Sequence, residues 1–366
     1  MKQSADTIRI IQIIDSLEAG GAERMAVSYA NALASSIAFS GLVVTRGEGP
    51  LKEHVEDGVS YLFLNRKKMM DLGALYRLRK FVKQHRVNVV HAHSTSFFIA
   101  FLLKLTCPSL RLVWHDHYGD SEFLSNRPIG ALQMVASFFS GIIAVNQKLK
   151  VWAEQKLNCS NIIYLPNFPS KENNSTAATI LKGIPGKRIV CLANLRLQKD
   201  HFLLLDVACK LKLSYPEWTF HLVGKDFEDD YSQKIKDLIV AFDLEKNVFL
   251  YGTKNDIPFI LKQSTIGILT SQSEGLPVAL LEYGWYKKPV VVTAVGEIST
   301  LVANGTNGFV VPAQQDVLFY EALVLLIKCD ALQLEFGEAL YQTVSHHNSG
   351  TSVIIQYLNW LQNSYK

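Results

Sequence analysis

Ser273-Glu274-Gly275-Leu276-Pro277-Val278-Ala279-Leu280-Leu281-Glu282-Tyr283-Gly284 follows closely on the apolar run 266–269. A short apolar run, then a polar loop, then a proline opening a helical pattern reads as strand, loop and helix. Pro277 stands where the first turn begins and its missing N–H is no loss. Glu274 is then a loop residue and Glu282 lies in the body of the helix, two turns on. Carboxylates in so apolar a segment need hydrogen-bond donors, which sugar or ribose hydroxyls supply, and the amides near the helix start suit a diphosphate. On spacing alone, a capping acid at Glu274 and a surface acid at Glu282 fit as well.

Working outward, short β-rich runs alternate with helical stretches over the whole chain, the pattern of an α/β protein with parallel sheets covered by crossover helices. The first half places strands at 8–14, 41–45, 61–64, 87–91, 110–114, 141–145 and 162–165, and the second at 188–192, 219–223, 248–251, 266–269, 290–293 and 308–311. A chain of 366 residues outgrows a single core, so two domains and a cleft between them are expected. The boundaries fall at 1–168 and 188–345, joined by a Pro-, Gly- and Asn-rich linker over 169–187. The end, 346–366, holds an amphipathic closing helix that packs back on the first domain, with Val353, Ile354, Tyr357, Leu358 and Leu361 at helical intervals.

Composition narrows the class. Five scattered cysteines without a C-x-x-C suggest neither a disulfide framework nor a zinc ribbon, and a reducing compartment fits. The N-terminus lacks the features of a secretory signal, so a cytoplasmic protein is expected. The apolar stretch 129–145 is short for a membrane span and reads as a buried helix running into a strand. Residues 1–168 carry a net charge of +6 and the remainder −2. That asymmetry suits an anionic membrane at its inner face, or a phosphate-bearing acceptor, as well as it suits an unevenly solvated surface. No nucleic-acid partner is expected.

Three further constellations carry candidate chemistry. Gly20-Gly21, after the opening strand, forms a turn that lets a phosphate approach a helix N-terminus, or simply a tight turn. Neither G-x-G-x-x-G nor a P-loop is present, which argues against a dinucleotide oxidoreductase. Arg196 and Lys199 follow the first strand of the second half, where fixed cations can neutralise a leaving diphosphate. His91-Ala92-His93 and His115-Asp116-His117 end two first-half strands, and loops at such ends line α/β crevices. No carboxylate or cysteine cluster completes four metal ligands around either pair. Phe227-Glu228-Asp229-Asp230 is not D-x-D and reads as a solvated loop.

The two glutamates inside S-E-G-L-P-V-A-L-L-E-Y-G, followed by K-P-V-V-V-T and G-T-N-G-F-V-V-P, resemble the E-x7-E region of retaining glycosyltransferase family 4. G-G-A-E-R-M resembles that family's N-terminal glycine loop, and the resemblance covers nearly the full chain. It implies a GT-B fold, two Rossmann-like doubly wound domains facing a central cleft. The implied function is metal-independent, retaining transfer of a sugar from a nucleotide-sugar donor to a saccharide or lipid-linked acceptor, in cell-surface polysaccharide synthesis. In the implied roles Glu282 binds the ribose, Gly275, Leu276 and Val278 the diphosphate with Gly20 and Gly21 also on the donor, and Glu274 the sugar hydroxyls. Arg196 and Lys199 stabilise the leaving phosphate, although the lysine comes three residues after the arginine, closer than is usual. His117, with His115 as the alternative, contacts the donor sugar. Asn146, where serine is frequent, and Glu297, where a second glycine is common, depart from the pattern. A GT-B sugar-nucleotide epimerase and a non-catalytic nucleotide-sugar-binding subunit are the rival readings.

Overall fold

A computed structural model describes residues 7–18, 20–121, 123–169 and 178–363. The chain divides into two compact units, Met1–Asn173 with Gly350–Lys366, and Asn174–Ser349. Each is a parallel sheet with helices on both faces.

In the first unit the strands are β1 (Arg9–Ser16), β2 (Phe39–Gly47), β3 (Ser60–Phe63), β4 (Val89–His93), β5 (Arg111–Asp116), β6 (Gly141–Ala144) and β7 (Ile162–Tyr164), in the order β3-β2-β1-β4-β5-β6-β7. In the second they are β8 (Arg188–Leu192), β9 (Thr219–Val223), β10 (Val248–Gly252), β11 (Ile266–Leu269), β12 (Val290–Thr293) and β13 (Phe309–Val311), in the order β10-β9-β8-β11-β12-β13. Apolar side chains fill most of both faces of each sheet, which is why the strands read largely as Val/Ile runs. The order reverses once in each sheet, between β1 and β4 and between β8 and β11, and ligands of open α/β sheets bind at the carboxyl ends of the strands beside that switch.

Two boundaries differ instructively from the sequence expectation. β4 and β5 each run two residues further, so His93 and His115 are strand residues, paired directly in register. Histidine looks like a loop residue in sequence, but here each imidazole finds its partner across the strands. The helix Gly130–Ala136 is not buried as expected. Met134 and Phe138 on it and just after it are exposed, and only Leu132, Val135 and Ala136 face the core. Among the described residues no helix is long and apolar enough to cross a membrane.

Of the expected linker, 170–177 lie outside the described residues. The part that follows is tied to the second unit: the Ala178 and Thr179 amides donate to Asp256 Oδ2 at 3.0 and 2.7 Å, and the Leu181 amide to Gln263 Oε1 at 3.1 Å. The last helix, Gly350–Asn363, belongs to the first unit. Its Trp360 Nε1 donates to Asn161 Oδ1 at 2.7 Å, Arg111 Nη2 donates to the Leu361 carbonyl at 2.9 Å, and Tyr357 lies 5.1 Å from the His91 ring.

Candidate active site

The switch point of the second sheet collects three of the four charged candidates in that unit. Arg196 and Lys199 lie on the segment after β8, and Glu274 on the segment after β11. The two segments are stitched together: the Gln272 amide donates to the Gln198 carbonyl at 2.8 Å, Thr270 Oγ1 to the Lys199 carbonyl at 3.0 Å, and Gln272 Nε2 to Asp200 Oδ2 at 2.8 Å. Asp200 in turn caps the helix His201–Ser214.

Within this frame the Lys199 ammonium meets Glu274 Oε1 at 2.5 Å, and Ser271 Oγ donates to the same oxygen at 2.7 Å. Glu274 is buried, and its carboxylate is directed at these partners across the loops. The N-cap position of the helix that follows belongs to Pro277, three residues on. Arg196 and Lys199 are not a matched pair of cations. Lys199 is committed to Glu274, whereas the exposed Arg196 places its guanidinium 4.5 Å above the Phe227 ring. Sequence reading passed over Ser271, three residues before Glu274, and took Phe227 as part of a solvated loop, where it carries the Arg196 guanidinium on its face.

Gly296 holds the Glu274–Gly275 backbone in place. Its φ is +57°, and a Cβ there would lie 2.2 Å from the Glu274 carbonyl oxygen, so glycine alone satisfies both the left-handed backbone and the close approach. The next residue, Glu297, donates its amide to the Gly275 carbonyl at 3.0 Å. A second glycine is not needed for that contact.

Pro277 precedes the helix Val278–Trp285 as its N-cap instead of opening its first turn. Tyr283 anchors that helix to the sheet, since its hydroxyl accepts from the Leu192 amide at 2.7 Å and lies 3.2 Å from the Val190 and Ile268 carbonyls. Glu282, one residue earlier, is buried, which removes the surface-acid alternative. Gly275, Leu276 and Val278 are buried at the start of the helix, whose first N–H groups have no partner within the helix itself.

In the first unit Gly20 is the N-cap of the helix Gly21–Ala34. A Cβ on Gly20 would lie 2.1 Å from Glu23 Oε2, so the carboxylate facing this turn is the chain's own. That occupancy weakens the expectation of a phosphate at Gly20-Gly21, because Glu23 already complements the helix N-terminus.

The histidines are not two separate pairs. His91 Nε2 lies 3.1 Å from His115 Nδ1, and His93 Nδ1 lies 2.9 Å from His117 Nε2. The two hydrogen-bonded pairs stack on each other, with ring centroids 4.4 Å apart for His91 and His93 and 4.0 Å for His115 and His117. Tyr29 meets His91 and His115 edge-on at 5.1 and 5.5 Å. His91, His93 and His115 are fully buried, and only His117, one residue past β5, is partly exposed. The expectation that all of them line a strand-end crevice is corrected accordingly: strand alternation turns three of them into the sheet–helix interface. One nitrogen each of His91, His93 and His115 lies within 4.8 Å of the others. The residues present could thus hold a cation, a cross-strand set that reading each H-x-H alone did not reveal.

Asp116, between His115 and His117, points the other way. It receives Arg127 Nη1 and Nη2 at 2.7 and 2.8 Å, and Arg127 lies 4.1 Å over Trp152 and 4.4 Å over Tyr118. This bidentate pair pins the segment that carries His117.

Burial holds the basicity of His91, His93 and His115 well below the usual imidazole range and brings that of His117 down to about 3, with their mutual repulsion adding to the effect on the first three. In the unfolded chain each returns to about 6.5. Between those values the unfolded chain binds more protons, so stability falls as pH drops through about 6.5 and continues to fall toward 3. The urea midpoint is therefore expected to be lower at about pH 5 than at about pH 7.5. An unchanged midpoint would show that these imidazoles are not kept neutral by the fold.

The group 1 glycosyl transferase model matches residues 181–343 and the glycosyltransferase family 4 model residues 19–168. An uncharacterised glycosyltransferase of Haemophilus influenzae is 25% identical over 327 residues, 87% of this chain and 90% of its own length. The UDP-Gal:alpha-D-GlcNAc-diphosphoundecaprenol alpha-1,3-galactosyltransferase of Escherichia coli is 24% identical over 314 residues, 77% of this chain and 78% of its own. Among solved structures, Anabaena Alr3699/HepE in complex with UDP-glucose superposes with a TM-score of 0.78 at 18% identity, over 97% of this chain and all of its own. With two Rossmann-like parallel sheets and a family match in each unit, the chain belongs to glycosyltransferase family 4, the group 1 glycosyltransferases of GT-B fold.

Proposed function

We propose that this enzyme is a retaining, metal-independent glycosyltransferase that moves a sugar from a UDP-sugar to a saccharide or lipid-linked acceptor in cell-surface polysaccharide synthesis. The observation that carries the site is the Lys199–Glu274–Ser271 cluster at the switch point of the second sheet. Glu274 orients the donor sugar's hydroxyls through its buried carboxylate. Arg196 and Lys199 bring positive charge to the leaving diphosphate, the electrostatic role that contributes most in many enzymes. The amides about Gly275, Leu276 and Val278 receive the diphosphate, Glu282 binds the ribose, and His117 contacts the donor sugar. His117 is preferred over His115 because it is the accessible one of the two.

With Glu274 engaged by an ammonium and a hydroxyl, we assign it no nucleophilic role. In the proposed step the acceptor oxygen attacks the anomeric carbon on the face the phosphate leaves. The carbon–phosphate oxygen bond breaks as the new glycosidic bond forms, and the acceptor proton passes to the departing phosphate. The choice of UDP is supported by the UDP-glucose complex of Anabaena HepE, and that of a lipid-linked acceptor by the substrate of the Escherichia coli galactosyltransferase.

The assignment of Glu282 is tested by calorimetry. Glu282→Gln is expected to weaken UDP binding about tenfold, the size of one hydrogen bond to a charged group, and to raise the donor KM with little change in kcat. UDP affinity equal to that of the parent would remove Glu282 from the nucleotide site.

We also propose contact of the first unit with anionic membrane. Met69, Met70, Leu72 and Tyr76 are 62–75% exposed, and exposed Lys67, Lys68, Arg79, Lys80 and Lys83 surround them in sequence. The helix Leu72–Gln84 turns Ala74, Leu78 and Val82 inward, so Leu72, Tyr76, Arg79 and Lys83 share its outward face at helical spacing. Such a surface inserts apolar side chains while its cations meet lipid phosphates. Co-sedimentation with phosphatidylglycerol vesicles is expected to fall with salt and on replacing Lys67, Lys68, Lys80 and Lys83 by Glu. Equal binding to neutral vesicles would leave the charge without this role.

A further inference from the structure

The first sheet carries a buried polar layer where apolar side chains are the norm. Along β1 the side chains of Ile11 and Ile13 enter one core, and Gln12 faces the opposite side. Along β4 Val90 and Ala92 enter that same core while His91 and His93 face away from it, and along β5 Leu112 and Trp114 do so while His115 faces away. The helix Gly21–Ala34 closes this layer with Tyr29, and the helix Gly350–Asn363 closes it with Tyr357. A buried polar group without a partner is costly, so the pairing pattern inside the layer carries information.

One chain of contacts leads from the sheet interior to the accessible imidazole. Gln12 Oε1 lies 2.8 Å from His93 Nε2, and His93 Nδ1 lies 2.9 Å from His117 Nε2. In the amide orientation in which Gln12 turns Oε1 to His93 and leaves Nε2 without a partner among the described residues, the oxygen only accepts, so His93 carries its proton on Nε2. A neutral imidazole has one N–H and one lone pair, so His93 Nδ1 is the acceptor and His117 must donate from Nε2. His117 then holds its lone pair on Nδ1. Each step follows from the one before, and the amide of Gln12 decides the outcome at a residue two strands away.

We propose that Gln12 and His93 are positioning residues that fix His117 as the Nε2–H tautomer, so that its Nδ1 accepts a hydrogen bond from a hydroxyl of the donor sugar. The second part rests on the placement of His117 at the donor proposed above; the first does not. The 2.9 Å contact between His93 Nδ1 and His117 Nε2 requires a lone pair on one of the two rings, and a neutral ring is what makes the tautomer a usable variable. The His91–His115 pair stacks on these rings from one side, and Tyr29 closes edge-on against His91 and His115. The rings of His93 and His117, 18° from coplanar, are therefore held for an in-plane bond. Partners that orient an imidazole in this way govern both its tautomer and its direction.

The test uses the full chain labelled with nitrogen-15 at histidine. Long-range proton–nitrogen correlation distinguishes a protonated ring nitrogen from a bare one, and His117→Gln assigns the signal. The parent is expected to show His117 protonated at Nε2 alone. Gln12→Met, which fills the same volume without an acceptor, is expected to release His93 and to give His117 as a mixture of tautomers, and kcat is expected to fall on the order of tenfold at unchanged UDP affinity. If Gln12→Met does not fold, His93→Asn and His93→Leu carry the same comparison. The asparagine keeps an oxygen near the position of Nδ1 and is expected to retain the Nε2–H tautomer and most of the rate, and the leucine to lose both.

An Nδ1–H signal from the parent overturns the relay, as does an unaltered His117 signal in both Gln12→Met and His93→Leu. A metal ion retained by the purified protein and lost on His91→Ala overturns it as well, because that ion would occupy the lone pairs the relay requires. If instead the tautomer follows the substitutions while kcat does not, the relay stands as structure and its role in positioning at the donor fails, together with the placement of His117 there.

Discussion

Glu274→Gln is expected to lower turnover by roughly 10²–10³-fold while leaving UDP binding at least as strong as in the parent. The substitution keeps the size and the buried position of the side chain. What it removes is the negative charge that meets the Lys199 ammonium at 2.5 Å and accepts from Ser271 Oγ at 2.7 Å. Two consequences follow. The donor sugar loses the carboxylate that orients its hydroxyls, which acts on the reacting ring and hence on kcat. Lys199 loses its counter-charge, and an ammonium no longer neutralised within the protein attracts a diphosphate more strongly. The combination of slower transfer with unweakened UDP affinity separates this residue from Glu282, for which the opposite is expected. Turnover rates and calorimetry with UDP on the same preparation decide the matter. Transfer at the parental rate in a folded Glu274→Gln protein would sink the proposed role of the cluster, and weaker UDP binding would place Glu274 on the nucleotide.

The framework of the fold was legible because it is written in local periodicity. β8, β9, β11 and β12 are short runs such as Arg188–Leu192 and Val290–Thr293, apolar and bounded by polar turns, and a strand buried on both faces leaves that signature without reference to the rest of the chain. Where the reading stopped short, at β4 and β5, the reason was again physical. These imidazoles satisfy one another across strands, and the partners His91 and His115, like His93 and His117, are 24 residues apart in sequence. The same limit governs the site. Glu274, Arg196 and Lys199 stood out as residue types in suggestive loops. Nothing local, however, says that Lys199 will close on Glu274, 75 residues away, or that Arg196 will instead cover Phe227. Gln12 is the extreme case: a polar residue between Ile10-Ile11 and Ile13-Ile14 of β1, a departure from pattern that signals a buried partner but cannot say which. Asp116, between His115 and His117, is equally silent in sequence about its partner, since strand alternation sends its carboxylate to Arg127.

Arg196→Ala is expected to reduce kcat on the order of a hundredfold with the fold intact. The side chain is exposed, and among the described residues its guanidinium lies against the face of Phe227 at 4.5 Å. A cation over an aromatic ring at an exposed site contributes about 0.5–1 kcal/mol, so its loss leaves circular dichroism and the melting temperature nearly unchanged. Phe227 sets the direction of a side chain that would otherwise sample many rotamers, and the Lys225 ammonium, 5.4 Å from the centre of the same ring, adds to the positive charge there. Charge on the leaving phosphate grows as the sugar bond breaks, so the arginine is worth more in the transition state than in the ground state, and kcat should fall by more than KM rises. Two companions make the comparison specific. Arg196→Lys keeps the charge but not the planar fork, and should recover only part of the rate. Phe227→Leu keeps the arginine but removes its platform, and should cost less than removing the cation itself. Turnover unchanged in folded Arg196→Ala would take this residue out of the mechanism and leave the leaving group to Lys199, whose own charge is already matched by Glu274 until the donor arrives.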